Sequence, residues 1–275
     1  FYLLSRTAIL RPWQCVTLCR RLRAQRYDLA VQVSGGSTSG FIVTRLIGAR
    51  YSMGSRKDDQ RLYNIEVDAK SSHAYDFIVS LTRPLGVVCR NRPLLQLTVQ
   101  ERYQAMEKIQ QLIGLHSNHL SDSGFIAIFV GGHQKKRWPL AFWLTLIDNL
   151  EAHRIRYIVF LGPEEFRLLA PIEQHLMSST YGYLCTPLPI RDFAAVLERA
   201  RLLVTPDSGP MHLAAALDVA TISLIRQKKS LAFVPREAYD TTLWRPEVST
   251  VVEAILANVD RQNTTVLEQT AAVIG

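Results

Sequence analysis

The stretch that decides the fold is Leu202–Ala216, which reads LLVTPDSGPMHLAAA. Its apolar start, Leu202–Thr205, predicts a short buried strand, and Met211–Leu217 predicts a helix. Between the two lies a turn rich in residues that begin helices. This stretch therefore predicts a strand, a turn and a helix whose amino end points out of a sheet.

The turn itself has the composition of a ligand-binding helix start. Asp207 or Ser208 suits a helix cap, Gly209 lets a ligand approach the backbone, and Pro210 suits a first helical turn. Free N–H groups and the positive end of the helix dipole make such a start a binding site for a diphosphate. His212 lies within reach of the same anion, although the sequence fits an ordinary cap with a surface histidine equally well.

The same alternation of apolar runs and amphipathic segments fills the second half of the chain. The predicted strands and helices are, in order, Phe125–Val130, Leu140–His153, Tyr157–Leu161, Pro163–Leu176, a short strand near Tyr183, Ile190–Ala200, Leu202–Thr205, Met211–Leu217 and Thr221–Ile225. This alternation predicts an α/β fold, with a parallel sheet covered on both faces and right-handed crossovers. Ligands of such sheets bind at the carboxyl ends of the strands.

A cationic loop follows the first of these strands. It runs from Gly131 to Pro139 and contains Lys135, Lys136 and Arg137 in succession. A lysine here could neutralise a leaving diphosphate without a metal ion, although a solvated basic turn is the commoner structure. Because this loop and the Asp207 loop follow parallel strands, we expect both at one edge of the sheet.

A third loop places two carboxylates after a strand. Gly162-Pro163 is followed by Glu164 and Glu165, which could accept hydrogen bonds from ribose hydroxyls. Acidic residues are also common at helix starts for electrostatic reasons alone.

The first half of the chain is less regular. Its predicted elements are a basic helix Pro12–Arg26, a strand Leu29–Val33, a helix Phe41–Ile47, a loop Ser52–Lys70, and helices Ser71–Leu81 and Val99–Leu115. The polar stretch His116–Gly124 predicts a domain boundary. We therefore expect domains at 1–118 and 119–275, the second ending in a helix Val251–Asn258 and a mobile polar tail.

Composition narrows the classes of function. The chain has 275 residues, a net charge of +8 and four scattered cysteines, which is typical of a globular cytoplasmic protein. The positive charge favours binding of nucleotides, phosphorylated glycolipids or an anionic membrane surface. Any membrane contact is expected to be peripheral, because no apolar run is long enough to span a bilayer. The basic residues lack the interleaved aromatics of single-strand binders, so we expect no nucleic acid. Clusters typical of metal sites are absent from the sequence.

Five landmarks, in order along the chain, resemble those of one enzyme family. They are Tyr27–Val31, Arg45–Arg50, Lys136-Arg137-Trp138-Pro139, Leu161-Gly162 and Asp207–Ala216. Together they resemble the lipopolysaccharide heptosyltransferases, glycosyltransferase family 9.

The resemblance implies a GT-B fold of two Rossmann-like domains facing across a cleft. ADP-heptose would bind the carboxyl-terminal domain, the lipopolysaccharide core would lie against the amino-terminal one, and an inverting transfer would need no metal or other cofactor. By the same resemblance, Lys136 would contact the diphosphate and sugar, and Glu164 or Glu165 would contact the ribose. Met211 would belong to the adenine surroundings. Asp207 and the backbone of Ser208 and Gly209 would face the sugar and diphosphate, with His212 close by.

The sequence departs from the family at three places, one of which is a Gly131-Gly132 loop that is shorter than usual. Family members begin with a Gly-Asp turn whose aspartate resembles a general base, and nothing before Tyr27 matches it. We therefore expect an incomplete amino-terminal domain, or else a non-catalytic nucleotide-sugar-binding or scaffold protein of the same fold. After Ile225 the chain has Arg226-Gln227-Lys228 in place of the usual Gly-Pro-Thr.

The expected location is cytoplasmic, at the inner face of the inner membrane.

Overall fold

The computed structural model describes residues 12–33, 37–55, 62–68, 73–114, 124–133 and 135–274, and the side chains among them from residue 13 to 261. They form two compact units, Phe1–Asn91 and Arg92–Gly275. We describe each unit by itself.

The first unit contains a parallel sheet of three strands in the order β1-β2-β3. Its elements are α1 (Pro12–Ala24), β1 (Leu29–Val31), α2 (Thr38–Ile47), β2 (Tyr51–Ser55), β3 (Ile65–Val67) and α3 (Ala74–Thr82), followed by a 3-10 turn, Arg83–Leu85. Met53 of β2 is completely buried and packs with Val67 and Leu81.

Strands β2 and β3 correct the prediction of a loop over Ser52–Lys70. The segment looked polar, but Ser52 is buried, and both its N–H and its hydroxyl donate to Asn64 Oδ1 at 2.9 Å. Burying a polar side chain is tolerated when it is hydrogen-bonded, so a polar strand can enter the sheet without an apolar pattern.

The second unit contains a parallel sheet of six strands in the order β6-β5-β4-β7-β8-β9. Its elements are α4 (Val99–Ile113), β4 (Phe125–Phe129), α5 (Leu140–Ala152), β5 (Tyr157–Phe160), α6 (Phe166–Leu176), β6 (Gly182–Cys185), α7 (Ile190–Leu197), β7 (Ala200–Pro206), α8 (Gly209–Ala216), β8 (Thr221–Ile225), β9 (Thr241–Trp244) and α9 (Val248–Ile274), with 3-10 segments Pro163–Glu165 and Lys228–Phe233. The predicted parallel sheet of this unit is confirmed.

The strand order places a switch point at the centre of this sheet. β4 pairs with β7, and from this pair the chain proceeds outward in opposite directions, through β5 and β6 on one side and through β8 and β9 on the other. Ligands of open α/β sheets bind in the crevice outside the carboxyl ends of the strands at such a point. The loops after β4 and β7 are therefore adjacent at the position where a ligand is expected.

Helices cover both faces of the sheet. Residues of α5 and α9, including Trp143, Leu146 and Ile255, belong to the core of one face. Residues of α4, α7 and α8, including Ile109 and Ala214, belong to the core of the other. This packing holds the strand ends, and with them the loops, in fixed positions.

Two boundaries in the second unit differ from the sequence predictions. Helix α4 belongs to the second unit because its buried face packs with α7, so the compact units divide at Asn91/Arg92 rather than at 118/119. Residues 115–123, which include most of the predicted boundary stretch, lie outside the described residues. Helix α9 continues to Ile274 instead of ending at Asn258, because residues 259–274 contain neither glycine nor proline to stop it.

No helix in the described part of the chain combines the length and apolar character that crossing a bilayer requires.

Candidate active site

The start of α8 presents open backbone. Ser208 is the N-cap residue, but its side chain makes no capping hydrogen bond and its hydroxyl instead pairs with Thr205 Oγ1 at 2.9 Å. A Cβ added to Gly209 would meet no atom within 4 Å. Pro210 has no N–H and the Met211 N–H donates to Ser208 O at 3.2 Å, so the N–H groups that this helix start can offer to an anion are those of Ser208 and Gly209.

The loop after β4 contacts this helix start directly. Gly132 has a φ of +118°, and a Cβ added there would lie 3.6 Å from Ser208 Cβ and 3.8 Å from Asp207 O. Lys136 Nζ lies 2.6 Å from Asp207 Oδ2. The predicted convergence of the two loops at one sheet edge is therefore confirmed, and the Lys136 ammonium is held beside the start of α8.

A buried ion pair fixes the base of the cationic loop. Arg137 Nη2 donates to Glu165 Oε1 at 2.7 Å, and the same oxygen accepts the Gly132 N–H at 3.1 Å. Arg137 Nε also donates to Gly132 O. Glu165 is only 3% exposed. Glycine at 131 and 162 is required by this packing, since a Cβ at either position would approach the Glu165 carboxylate to 2.7 Å or less.

The two glutamates that follow β5 therefore point to different environments. Glu165 is buried and engaged by Arg137 and Gly132, whereas Glu164 is exposed at the beginning of the 3-10 segment. From the sequence alone, the two glutamates were equivalent candidates for a ribose contact. In this structure only Glu164 has a carboxylate that solvent, and thus a ligand, can reach.

A cavity of about 700 Å³ lies at the carboxyl ends of β4, β5 and β6 and at the start of α8. Its lining is mostly apolar and comprises Pro93, Leu94, Leu95, Phe129, Phe160, Leu161, Gly162, Pro163, Thr186, Pro187, Leu188, Ile190, Phe193, Gly209, Pro210, His212, Leu213 and Ala216. Small-molecule sites typically have volumes of about 300–1,000 Å³ and are mainly apolar with a few polar groups. Gly209 and His212 belong to both this cavity and the helix start, so the two features are continuous.

Two further side chains near the site, Met211 and Cys185, are buried and do not line the cavity. Met211 is completely buried in a cluster with Ile225 and Val234, so it is a core residue and not part of the cavity lining. Cys185, at the end of β6, is also buried, and burial raises the pKa of its thiol to about 11. A protonated, buried thiol is a poor nucleophile. No group of three or more His, Cys, Asp and Glu side chains able to hold a metal ion occurs in the described ranges.

The sequence did not predict which residues hold the cationic loop from the side of β8. Arg226 Nη1 donates to Arg137 O at 2.8 Å, and Gln227 Nε2 donates to Lys135 O at 3.4 Å. The adjacency of β7 and β8 was predictable, but side-chain contacts to backbone carbonyls leave no signal in a sequence pattern. Glu165 was named for a ligand role, and its pairing with Arg137 also went unrecognised.

Comparison with known proteins identifies the family to which this chain is similar. The family model for glycosyltransferase family 9 (heptosyltransferase) matches residues 15–254. The chain is 22% identical to lipopolysaccharide heptosyltransferase 3 of Escherichia coli over 86% of its length, and 28% identical to lipopolysaccharide heptosyltransferase 1 of Pseudomonas aeruginosa over 74%. It spans 67% and 56% of the lengths of these two relatives.

Solved structures show the same fold. The glycosyltransferase family 9 protein of Veillonella parvula matches with a TM-score of 0.72 at 18% identity, covering 90% of this chain and 78% of that one. The E. coli heptosyltransferase WaaC with ADP matches with a TM-score of 0.61 at 19% identity, covering 93% and 79%. These likenesses confirm the predicted GT-B fold class. From the matched family model, this chain belongs to glycosyltransferase family 9, the heptosyltransferases.

Proposed function

We propose that this protein transfers a heptose from ADP-heptose to the inner core of lipopolysaccharide, with inversion at the anomeric carbon. The observation that carries this proposal is the contact between Lys136 and Asp207 at 2.6 Å, which places an ammonium group beside the open start of α8. A cation and free backbone N–H groups at one point form a site for a diphosphate.

The adjoining cavity supplies room for the rest of the nucleotide. Its apolar walls suit a base, and the exposed Glu164, which directly follows the lining residues Gly162 and Pro163 in the chain, suits the ribose hydroxyls. Family membership supports a transferase activity, and E. coli WaaC has been solved with ADP and with ADP-2-deoxy-2-fluoro heptose. We infer the same class of donor for this chain.

The proposed reaction is a displacement that needs no metal ion. The acceptor hydroxyl oxygen attacks the anomeric carbon and loses its proton to a base, while the bond from that carbon to the diphosphate oxygen breaks and ADP keeps the electron pair. Lys136 and the N–H groups at the start of α8 would stabilise the charge that develops on the departing diphosphate. Asp207 would hold the Lys136 ammonium in place, and His212 would lie close to the same anion.

Peripheral contact with an anionic membrane surface belongs to the same proposal. Residues 1–91 carry 14 Lys and Arg against 6 Asp and Glu, whereas residues 92–275 carry 18 of each, so the whole net charge of +8 lies in the first unit. Helix α1 exposes Trp13 together with Arg20, Arg21 and Arg23. Tryptophan and arginine on one exposed helix surface suit a lipid headgroup layer. Sedimentation with phosphatidylglycerol vesicles, but not with phosphatidylcholine vesicles, is the expected result, and equal binding to both would contradict it.

The donor is tested by calorimetric titration of the protein with ADP, ADP-heptose and UDP. We expect saturable binding of both ADP ligands and weaker binding of UDP, whereas no detectable binding of ADP or ADP-heptose would overturn the proposal. Transfer is tested separately with lipopolysaccharide lacking the heptose. Binding of ADP-heptose without transfer would support the alternative of a non-catalytic nucleotide-sugar-binding protein.

A further inference from the structure

The segment after β8 touches the cationic loop at two points that flank Lys136. The Arg226 guanidinium donates to Arg137 O at 2.8 Å, and the Gln227 amide donates to Lys135 O at 3.4 Å. The carbonyls on either side of Lys136 along the chain thus both accept hydrogen bonds from side chains of the segment after β8, which is two strands away from β4 in the sheet.

A third hydrogen bond acts on Lys136 itself. Its N–H donates to His133 O at 2.7 Å, which closes a tight turn. Two glycines, Gly131 and Gly132, precede this turn, and glycine gives a backbone more freedom than any other residue. The pair of Arg137 and Glu165 fixes the base of the loop at Gly132, and the contacts from the segment after β8 act further along the loop, at the carbonyls of residues 135 and 137.

We propose that Arg226, with Gln227 as a weaker second contact, is a positioning residue that fixes the backbone around Lys136 and so sets the place of its ammonium at the start of α8. This inference rests on the proposed function, because that function is what assigns a diphosphate to Lys136. The contact is a hydrogen bond from a charged donor to a carbonyl, which is the stronger kind. Positioning matters because a displacement of about 1 Å of a group near the reacting atoms can cost two orders of magnitude in rate.

The test measures affinity for ADP and for adenosine, which lacks the diphosphate. In Arg226→Ala we expect ADP to bind on the order of tenfold more weakly, as loss of one charge-assisted hydrogen bond implies, with adenosine affinity unchanged. Arg226→Lys keeps a charged donor and should recover part of the loss. Lys229→Ala, an exposed position in the same segment, removes the same charge and should bind ADP like the parent protein. Equal weakening in Arg226→Ala and Lys229→Ala would overturn the proposal, since net charge would then explain it.

A double-mutant cycle shows whether Arg226 acts through Lys136. In the Lys136→Ala background, Arg226→Ala should cause little further loss of ADP affinity, because the group that it positions is already absent. Two losses that multiply would overturn the inference and would indicate that Arg226 contacts the ligand independently.

Trypsin cleavage separates failure of this inference from failure of the proposed function. The loop offers trypsin cleavage sites after Lys135, Lys136 and Arg137. Loss of the tether, the hydrogen bond from Arg226 to Arg137 O, should make trypsin cleave this loop faster in the folded Arg226→Ala protein than in the parent. Faster cleavage in a protein that binds no ADP would overturn the function and leave the tether standing. Unchanged cleavage together with unchanged ADP affinity would overturn the tether.

Discussion

Replacing Glu165 by alanine should destabilise the second unit far more than the same change at Glu164. Glu165 is 3% exposed and its Oε1 accepts from Gly132 N at 3.1 Å and from Arg137 Nη2 at 2.7 Å. A hydrogen bond to a charged group contributes about 1.5–3 kcal/mol. The Arg137 side chain is 29% exposed and can turn toward water, which reduces the loss on its side. We therefore expect the free energy of unfolding to fall by about 3 kcal/mol.

Glu164→Ala is the matched control, since it removes an identical side chain one residue away. Glu164 is exposed, so its loss should change stability by less than about 0.5 kcal/mol. It should nevertheless weaken ADP binding if it contacts the ribose. The assay is urea unfolding followed by fluorescence of the buried Trp138 and Trp143, compared at equal slope. A Glu165→Ala protein as stable as its parent, or a Glu164→Ala protein destabilised to the same extent, would refute the assignment of the two carboxylates.

Three further predictions test the site and the sheet. Lys136→Ala should lower kcat on the order of 100-fold while changing the urea midpoint much less, because the lysine would stabilise charge that appears only as ADP leaves; an unchanged kcat would remove Lys136 from the mechanism. Gly209→Ala should leave stability unchanged, since its Cβ meets nothing within 4 Å, but should weaken ADP binding by crowding the ligand. Gly131→Ala should instead destabilise the fold by about 1–3 kcal/mol, because its Cβ would lie 2.6 Å from Phe129. The reverse pattern in calorimetry and urea unfolding would count against the site. Burial raises the pKa of Asp240 from 3.8 to about 6, so its contribution to stability is present below pH 3.8 and is lost as the pH rises through about 6. The urea midpoint of the parent minus that of Asp240→Asn should therefore fall over that pH range. A midpoint difference that rises with pH would contradict this prediction.

The architecture of the second unit was predictable because its strands are continuous apolar runs. Strands such as β4 and β5 are buried at every position, and a parallel sheet covered on both faces requires this. The convergence of the loops that carry Lys136 and Asp207 followed from the same reasoning, because loops after neighbouring parallel strands share one edge, whereas the ion pair between the two side chains was not predicted. Family resemblance then supplied a reason to expect a nucleotide there.

The features that the sequence did not reveal depend on contacts between distant residues. Adjacent Glu164 and Glu165 look alike locally, and only the approach of Arg137 decides which of them is buried. Strand β2 is mostly polar and pairs with β1 and β3 in the sheet, while hydrogen bonds to Asn64 satisfy its buried Ser52. Met211 was expected near adenine, yet its position on α8 directs it into the core against Ile225. Residue type and spacing carry no information on any of these three outcomes.

The whole proposal depends on the loop after β4 and the start of α8 binding one diphosphate between them. A crystal structure of the protein with ADP-heptose tests it most directly. We expect diphosphate oxygens within about 3 Å of Lys136 Nζ and of backbone nitrogens at Ser208 or Gly209, the distance of a hydrogen bond. A nucleotide bound elsewhere, with Lys136 still paired to Asp207 and no phosphate beside it, would contradict the account.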